Sequence, residues 1–145
     1  MQTEKPIVLF DIDGTLMLTN GAGTLAMNRA FGMAFGISDS PSALDGLDIA
    51  GRSDKWIAES VMSNHGIDAT AQNIGTFIQT YASELPRALR EQNGNLLPGV
   101  VSLLQALISE GAIVGLGTGN FRVTGMLKLG YFNIDHYFRD GGFGD

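Results

Sequence analysis

An α/β fold, a shortened Rossmann-like parallel sheet with an inserted α-helical cap, is predicted by three features of the sequence. The continuous apolar run Ile7–Phe10 is typical of a parallel strand that is buried on both faces. A second apolar run, Ala112–Leu116, lies between helical stretches, and such alternation implies right-handed crossovers. The stretch from about residue 20 to residue 92 is too long for one crossover, so we expect it to form a cap over the end of the first strand.

The cap is predicted to contain three helices, which apolar residues at helical spacing indicate. The first spans about residues 22–35 and ends at a glycine. The second begins at Ser53–Asp54, where the serine or the aspartate suits an N-cap. The third begins near Ala69, and Pro86 is expected to kink or interrupt it, since proline lacks the amide that a helix interior needs.

The rest of the chain is predicted to complete the core. A helix is expected between Pro98 and Gly111, and another over about residues 121–129 after the second strand. Tyr137–Phe138 is a candidate for a short third strand. Residues 1–18 and 93–145 are therefore assigned to the core, and residues 19–92 to the helical cap.

Composition narrows the functional classes. The chain has 145 residues, of which 44% are hydrophobic, so it can build the core of one ordinary domain. A net charge of −6 without a lysine or arginine cluster argues against nucleic acid as a partner. The absence of cysteine excludes a thiol nucleophile. The sequence shows neither a membrane-spanning run nor a signal-peptide pattern, so we expect a cytoplasmic protein.

Two carboxylates follow the first strand directly. Asp11 and Asp13 are separated by one residue, so their side chains face the same way if the backbone stays extended. The segment Thr118-Gly119-Asn120 follows the second strand, and ligands of open α/β sheets bind beyond such strand ends. Two neighbouring carboxylates repel unless they share a proton or a cation, and Mg²⁺ suits oxygen ligands. We therefore expect Mg²⁺ on Asp11 and Asp13.

This arrangement suits phosphoryl transfer. One aspartate would attack phosphorus and form an acyl phosphate, while the other would protonate the leaving oxygen and later deprotonate water. The Thr118 hydroxyl and the amides around Gly14 and Gly119 are candidates for holding phosphate oxygens. Lys128, on the helix that follows, is the candidate cation for the gathered negative charge.

Other interpretations compete with this one. Asp-x-Asp-Gly also begins calcium loops, but the later oxygen ligands and the closing glutamate are absent. The glycines at 115, 117 and 119 imitate a dinucleotide fingerprint with the wrong spacing. Lys128 could instead be a solvated helix residue, and Arg52 could either contact substrate or be solvated. Trp56 and the Phe77–Tyr81 stripe fit the core of the cap better than a substrate site.

Four segments carry a resemblance to a known family. DIDGTL (11–16) resembles the first motif of the haloacid dehalogenase superfamily in its phosphatase form, and LLPGVVSLLQALISEGAIVGLGTGN (96–120) resembles the second motif with its preceding helix. GRSDKWI (51–57) and MLKLGYFNIDHYF (126–138) resemble segments of phosphoglycolate-phosphatase-like members. The resemblance covers nearly the whole chain.

The resemblance implies a role for each matching residue. It makes Asp11 the nucleophile, Asp13 the acid/base, Thr118 a phosphate ligand and Lys128 the charge-stabilising lysine, with Mg²⁺ as cofactor. Gly14, Gly119 and Asn120 remain candidates for binding phosphate. An aspartate at position 13 favours phosphoryl transfer over dehalogenation, because halide leaves without a proton. The expected substrate is a small phosphorylated metabolite.

The chain departs from the family pattern at its C-terminal end. The family continues into a fourth strand with an acidic motif that completes the Mg²⁺ site, whereas Gly142–Asp145 resembles the end of the third strand. The resemblance is therefore to a shortened core with a weak metal site. The alternative function is a truncated derivative with little or no catalysis that acts as an assembly or binding module.

The same departure predicts an assembly. In the family's sheet order, the fourth strand lies beside the first, so one edge of Ile7–Phe10 would be bare. A bare hydrophobic edge promotes aggregation unless it is covered. We therefore expect a homodimer, formed by edge pairing or by segment exchange, that covers this edge.

Overall fold

A computed structural model of the chain describes residues 4–38 and 41–145; residues 1–3 of the predicted core and residues 39–40 of the connector before the second helix lie outside this part. The elements in chain order are β1 (Ile7–Phe10), β2 (Met17–Leu18), α1 (Ala22–Phe35), α2 (Asp54–Asn64), α3 (Ala71–Gln92), β3 (Asn95–Leu96), α4 (Val100–Ser109), β4 (Ile113–Gly117), α5 (Arg122–Tyr131), a 3₁₀ turn (Asp135–Tyr137) and β5 (Gly141–Gly142).

The main sheet is parallel, as predicted. Its strand order is β1-β4-β5, with Leu9 opposite Gly115 and Leu116 opposite Gly141. Helices α4 and α5 flank β4 along the chain, and α1, α2 and α3 are inserted between β1 and β4. The α/β class with an inserted helical cap is therefore confirmed.

Strand β1 is buried on one face only, so the prediction of burial on both faces is wrong. Val8 and Phe10 are half-buried, and the Phe10 ring packs edge-on against Phe138 at 6.3 Å. The alternate residues Ile7 and Leu9 are 67% and 64% exposed. Because successive side chains of a strand point to opposite faces, one face of β1 joins the core, while the other, the bare face, is left largely exposed by the described residues.

Two hydrophobic clusters support the fold. In the cap, α1 packs along α3, and the rings of Phe31 and Phe77 stack at 4.3 Å. Phe121, at the start of α5, reaches this cluster and meets Phe77 edge-on at 6.4 Å. The second cluster lies beside the sheet and includes Leu104 and Leu116. The boundary drawn at residues 18/19 and 92/93 stays a prediction.

Helix α3 is not interrupted at Pro86, contrary to one of the two expectations for that residue. A proline inside a helix costs about 3 kcal/mol or more. Its neighbours Leu85 and Leu89 are completely buried in the cap cluster. Burial of such side chains contributes about 1.5–3 kcal/mol each, which is enough to offset the proline and keep the helix continuous.

The third strand lies at Gly141–Gly142, so the candidate at Tyr137–Phe138 is wrong. Tyr137 ends the 3₁₀ turn, and Phe138 is buried against the sheet. Position 141 requires a residue without a Cβ, since a Cβ there would lie 2.5 Å from the carbonyl oxygen of Leu116. Hydrophobicity indicated Tyr137–Phe138, but the strand forms at Gly141–Gly142 because only there can the two backbones approach closely enough to pair.

A small antiparallel pair, β2 with β3, was not predicted. It joins the point where the chain leaves the core to the point where it returns after α3. A Cβ at Gly94 would overlap the carbonyl oxygen of Leu18, so only glycine fits beside β2. Two-residue strands are too short to show a period in sequence. Among the described residues, no helix is long and apolar enough to cross a membrane.

Candidate active site

The turn after β1 presents both aspartates. Ile12, between them, is completely buried, and its carbonyl oxygen accepts the amide of Leu16 at 2.9 Å. Asp11 and Asp13 remain exposed on either side of it. Gly14 reverses the chain with φ of 78°, a conformation that favours glycine, and its amide donates to the carbonyl oxygen of Met17 at 2.9 Å. The turn therefore fixes both carboxylates at the carboxyl end of the strand.

A cleft of about 420 Å³ lies between these aspartates and the cap. Its core side contains all but one of the site residues predicted from the sequence: Asp11, Asp13, Thr118, Gly119, Asn120 and Lys128. Gly14 does not line the cleft, and its amide is engaged within the turn. The cap side includes Gly23, Arg52, Asp54 and Tyr81.

Asp13 is held by a buried cation. Lys128 is only 4% exposed, so it is not a solvated helix residue. Its Nζ donates to both carboxylate oxygens of Asp13 at 2.9 Å and to Oδ1 of Asn120 at 2.7 Å. A buried lysine needs such partners because an unpaired charge in a low-dielectric interior is very unfavourable. Gly23 leaves space for it, since a Cβ there would lie 3.3 Å from Nζ.

Asn120 links the two strand ends. Its Nδ2 donates to Oδ2 of Asp13 at 2.8 Å and to the hydroxyl of Thr118 at 2.7 Å. The amide of Thr118 donates to the carbonyl oxygen of Gly142 at 3.0 Å, which ties this loop to β5. Within the described chain, the amide of Gly119 has no acceptor, so it remains available to an anion in the cleft.

Asp11 differs from Asp13 in its partners. Its Oδ1 accepts the amide of Ile12 at 2.7 Å. Among the described residues, no group donates to its second oxygen. Asp11 is therefore the carboxylate that is free to react, whereas both oxygens of Asp13 are oriented by Lys128 and one of them also by Asn120.

The sequence did not single out Asp54 as a site residue. Ser53 is the N-cap of α2, and its hydroxyl accepts the amide of Trp56 at 3.2 Å. Asp54 instead points inward and is 9% exposed. Burial raises its pKa to about 6, although the positive charge of Lys128 opposes this shift. The GRSDKWI segment was the available signal, but the sequence does not show which side chain faces the core.

Tyr81 is the second cap residue that was not predicted in the site. It belongs to the stripe assigned to the cap core, and it is completely buried there, but it also lines the cleft. Its hydroxyl has no hydrogen-bond partner among the described residues, because the neighbouring hydroxyl of Thr124 donates to the carbonyl oxygen of Phe121 at 3.2 Å. Burial, with the negative charges of Asp54 and Asp13, raises the pKa of Tyr81.

Arg52 lies at the mouth of the cleft, where its guanidinium carbon sits 4.6 Å from the centre of the Trp56 ring. Cation–π contact orients the guanidinium without neutralising it. The side chain is exposed, and its role in binding substrate stays a prediction.

The side-chain ligands available in the cleft limit how the expected Mg²⁺ could be held. No group of three potential acidic, histidine or cysteine ligands is present in the described part of the chain. The carboxylate of Asp13 is directed to Lys128, which leaves Asp11 as the free carboxylate at this position. Mg²⁺ commonly uses one or two carboxylates together with waters and substrate phosphate. The residues present therefore fit a weakly held Mg²⁺, with Asp11 as its side-chain ligand.

Several solved structures share this fold. CbbY from Rhodobacter sphaeroides, in complex with phosphate, is 18% identical with a TM-score of 0.70, and the match covers 98% of this chain and 64% of that one. A predicted phosphatase from Clostridium acetobutylicum is 22% identical with a TM-score of 0.63, covering 97% and 62%. A predicted phosphoglycolate phosphatase from Haemophilus somnus 129pt is 20% identical with a TM-score of 0.60, covering 100% and 65%.

The chain therefore spans less than two thirds of the length of these three structures. No curated protein matches its sequence significantly. The family model of haloacid dehalogenase-like hydrolases matches residues 8–140, which include both strand-end motifs and the cap between them. The chain belongs to the haloacid dehalogenase-like hydrolase family.

Proposed function

We propose that this protein is a Mg²⁺-dependent phosphatase that hydrolyses a small phosphorylated metabolite through an aspartyl phosphate. The observation that supports this most strongly is the contrast between two carboxylates on one turn. Asp11 has an oxygen to which no described residue donates, whereas Lys128 and Asn120 both donate to Asp13. A reaction that needs a nucleophile beside an oriented acid/base requires this division.

In the first step, a free oxygen of Asp11 attacks phosphorus. The bond between phosphorus and the ester oxygen breaks, and the leaving alkoxide takes the proton that Asp13 must carry when it enters this step as the general acid. Because both oxygens of Asp13 accept hydrogen bonds from Lys128, the leaving oxygen must displace one of these contacts when it receives the proton. The product at this stage is an acyl phosphate on Asp11 and a free alcohol.

In the second step, Asp13 takes a proton from a water molecule as that water attacks phosphorus. The bond between phosphorus and the Asp11 carboxylate oxygen breaks, which restores the carboxylate of Asp11 and releases phosphate. Lys128, the Thr118 hydroxyl and the Gly119 amide are the groups that offset the negative charge on the phosphoryl oxygens. Mg²⁺, held by the Asp11 carboxylate and a backbone carbonyl near Asp13, would neutralise more of that charge.

The direct test is hydrolysis of p-nitrophenyl phosphate by the purified protein with and without Mg²⁺. We expect turnover that requires a high Mg²⁺ concentration, disappears in excess EDTA and is lost in Asp11→Asn, since an amide is a poor nucleophile. Asp68→Asn is the matched control, because Asp68 is an exposed acid of the cap outside the cleft. Unchanged turnover in Asp11→Asn or in EDTA would contradict the proposal.

A second candidate function is phosphate binding without turnover. The doubly held carboxylate of Asp13 favours it, because proton transfer would have to break contacts that the site makes at rest. Binding of inorganic phosphate by calorimetry, with no release of p-nitrophenol under any metal condition, would support this candidate over the first.

We also propose that the protein forms a homodimer through β1. This strand is the terminal strand of the main sheet, and its outer edge has no partner strand among the described residues. Ile7 and Leu9 add exposed apolar side chains beside that edge. Two copies can pair such edges about a two-fold axis, which satisfies the backbone groups of both chains.

A further inference from the structure

Asp54 brackets the backbone of the loop that follows β4. Its amide donates to the carbonyl oxygen of Gly119 at 2.8 Å, and its Oδ2 accepts the amide of Phe121 at 3.3 Å. The bonded groups lie on either side of Asn120. One residue of the cap therefore holds both the preceding carbonyl and the following amide of the asparagine that organises the site.

Two glycines bring the cap close enough for this contact. A Cβ at Gly119 would lie 3.1 Å from the carbonyl oxygen of Arg52 and from Cα of Ser53. A Cβ at Gly144 would overlap the carbonyl oxygen of Gly119 and lie 3.0 Å from Cβ of Ser53. The amide of Gly144 donates to the carbonyl oxygen of Asn120 at 2.8 Å. The backbone around Asn120 is thus fixed at Gly119, at Asn120 itself and at Phe121.

The side chain of Asn120 passes this constraint to the reacting groups. Its amide nitrogen donates to Asp13 and Thr118, and its amide oxygen accepts from Lys128. A shift of the loop would therefore move the three groups that surround the expected phosphate position. Small displacements matter here, because a misplacement of about 1 Å can lower a rate by about 10²-fold.

We propose that Asp54 is a positioning residue, which acts through the backbone of residues 119–121 and the side chain of Asn120 to orient Asp13 and Lys128. The proposal rests on the proposed function for its catalytic consequence, but its structural link is independent of turnover. It predicts that the position requires a hydrogen-bond acceptor and not a negative charge.

The local structure does not need this acid for the helix. Ser53 already caps α2, so the Asp54 carboxyl is not required to satisfy its first amides. A carboxyl at the first turn of a helix is favourable when solvated, whereas burial disfavours its charged form. The contact with the loop is what the buried carboxyl provides.

The test compares Asp54→Ala, Asp54→Asn and Glu59→Gln, the last being an exposed acid on the same helix. Asparagine retains an acceptor for the amide of Phe121, and alanine does not. We expect kcat for p-nitrophenyl phosphate to fall by about 10²-fold in Asp54→Ala with a small change in KM. Asp54→Asn and Glu59→Gln should keep kcat within about threefold of the wild type. A kcat that asparagine preserves and alanine does not would show that position 54 needs a hydrogen-bond acceptor.

A structural readout keeps this test separate from the test of the proposed function. The side-chain amide protons of Asn120, observed by ¹⁵N NMR, should be protected from exchange in the wild type and in Asp54→Asn and should lose protection in Asp54→Ala. This comparison applies even if the wild type hydrolyses no ester. If Asp54→Ala does not fold, Asp54→Leu, which fills the space without an acceptor, takes its place. Unchanged protection in the folded acceptor-less variant would overturn the proposal, as would equal losses of kcat in Asp54→Asn and Asp54→Ala.

Discussion

The two halves of one short segment lie in opposite surroundings. Asp11 and Asp13 lie in a cleft where the cap, the loop after β4 and helix α5 meet, and Asp13 accepts hydrogen bonds from Lys128 and Asn120. A few residues earlier, Ile7 and Leu9 face outward and are 67% and 64% exposed. The polar end of the strand is therefore organised by contacts within the chain, whereas one apolar face of the same strand is largely exposed.

The comparison separates two classes of change. Substitutions in the cleft should alter chemistry and leave association intact, and substitutions on the bare face of β1 should do the reverse. A variant that affects both would show that the cleft and the face are coupled.

After Asp11→Asn, which should abolish turnover, the largest effect is expected in the cleft from Asp13→Asn. General acid–base help is typically worth about 10²–10⁴-fold, so turnover of an alkyl phosphate should fall by that factor. The rate of the first step with p-nitrophenyl phosphate should fall much less, because p-nitrophenolate leaves without a proton. Stopped-flow measurement of the p-nitrophenol burst checks this, and an equal loss for both leaving groups would remove Asp13 from the acid role.

A change of assembly is expected on the bare face, from Leu9→Lys. A charge at this exposed position should dissociate the proposed dimer or precipitate the protein, since edges that carry lysine resist pairing. Met33→Lys is the matched control, because Met33 is equally exposed at 64% but lies on α1 of the cap. Light scattering at micromolar concentration checks the result, and a monodisperse wild-type monomer would refute the dimer.

The smallest effect is expected in stability, from Asp54→Asn. The pKa of Asp54 is raised from 3.8 to about 6 in the folded state, so the native protein binds more protons between these values than the unfolded chain does. Stability of the wild type should therefore fall as the pH rises through this window, by up to about 3 kcal/mol. The stability of Asp54→Asn should not fall in this way, because asparagine does not titrate.

Urea unfolding of both proteins at about pH 4 and about pH 7 measures that difference. The stability of Asp54→Asn relative to the wild type should increase toward neutral pH. A pH-independent difference would mean that Asp54 titrates normally in the folded protein.

The residues at the strand ends could be predicted to lie in one site because each group directly follows an apolar run in the sequence. Asp11 and Asp13 directly follow an apolar run, and Thr118–Asn120 follows the next one, so the rule that ligands bind beyond strand ends places them together. The helix after that loop offers two cations, Arg122 and Lys128, and the family resemblance selected Lys128. These predictions require no knowledge of how distant helices pack.

The remaining features depend on tertiary contacts that periodicity does not encode. Asp54 and Tyr81 face the cleft because α2 and α3 pack in one particular orientation. Burial of Leu85 and Leu89 keeps α3 continuous through Pro86. For Ile7 and Leu9, apolar character correctly indicated a strand but not which of its faces is covered.

The proposed aspartyl phosphate can be detected directly as a covalent phosphoryl group on Asp11. In Asp13→Asn, p-nitrophenyl phosphate should still phosphorylate Asp11, while the loss of the base slows attack by water. Rapid acid quenching followed by peptide mass spectrometry should then show one phosphoryl group on the peptide that contains Asp11, and none in the variant that also carries Asp11→Asn. Turnover without a phosphorylated Asp11, or a phosphoryl group on another residue, would contradict the account.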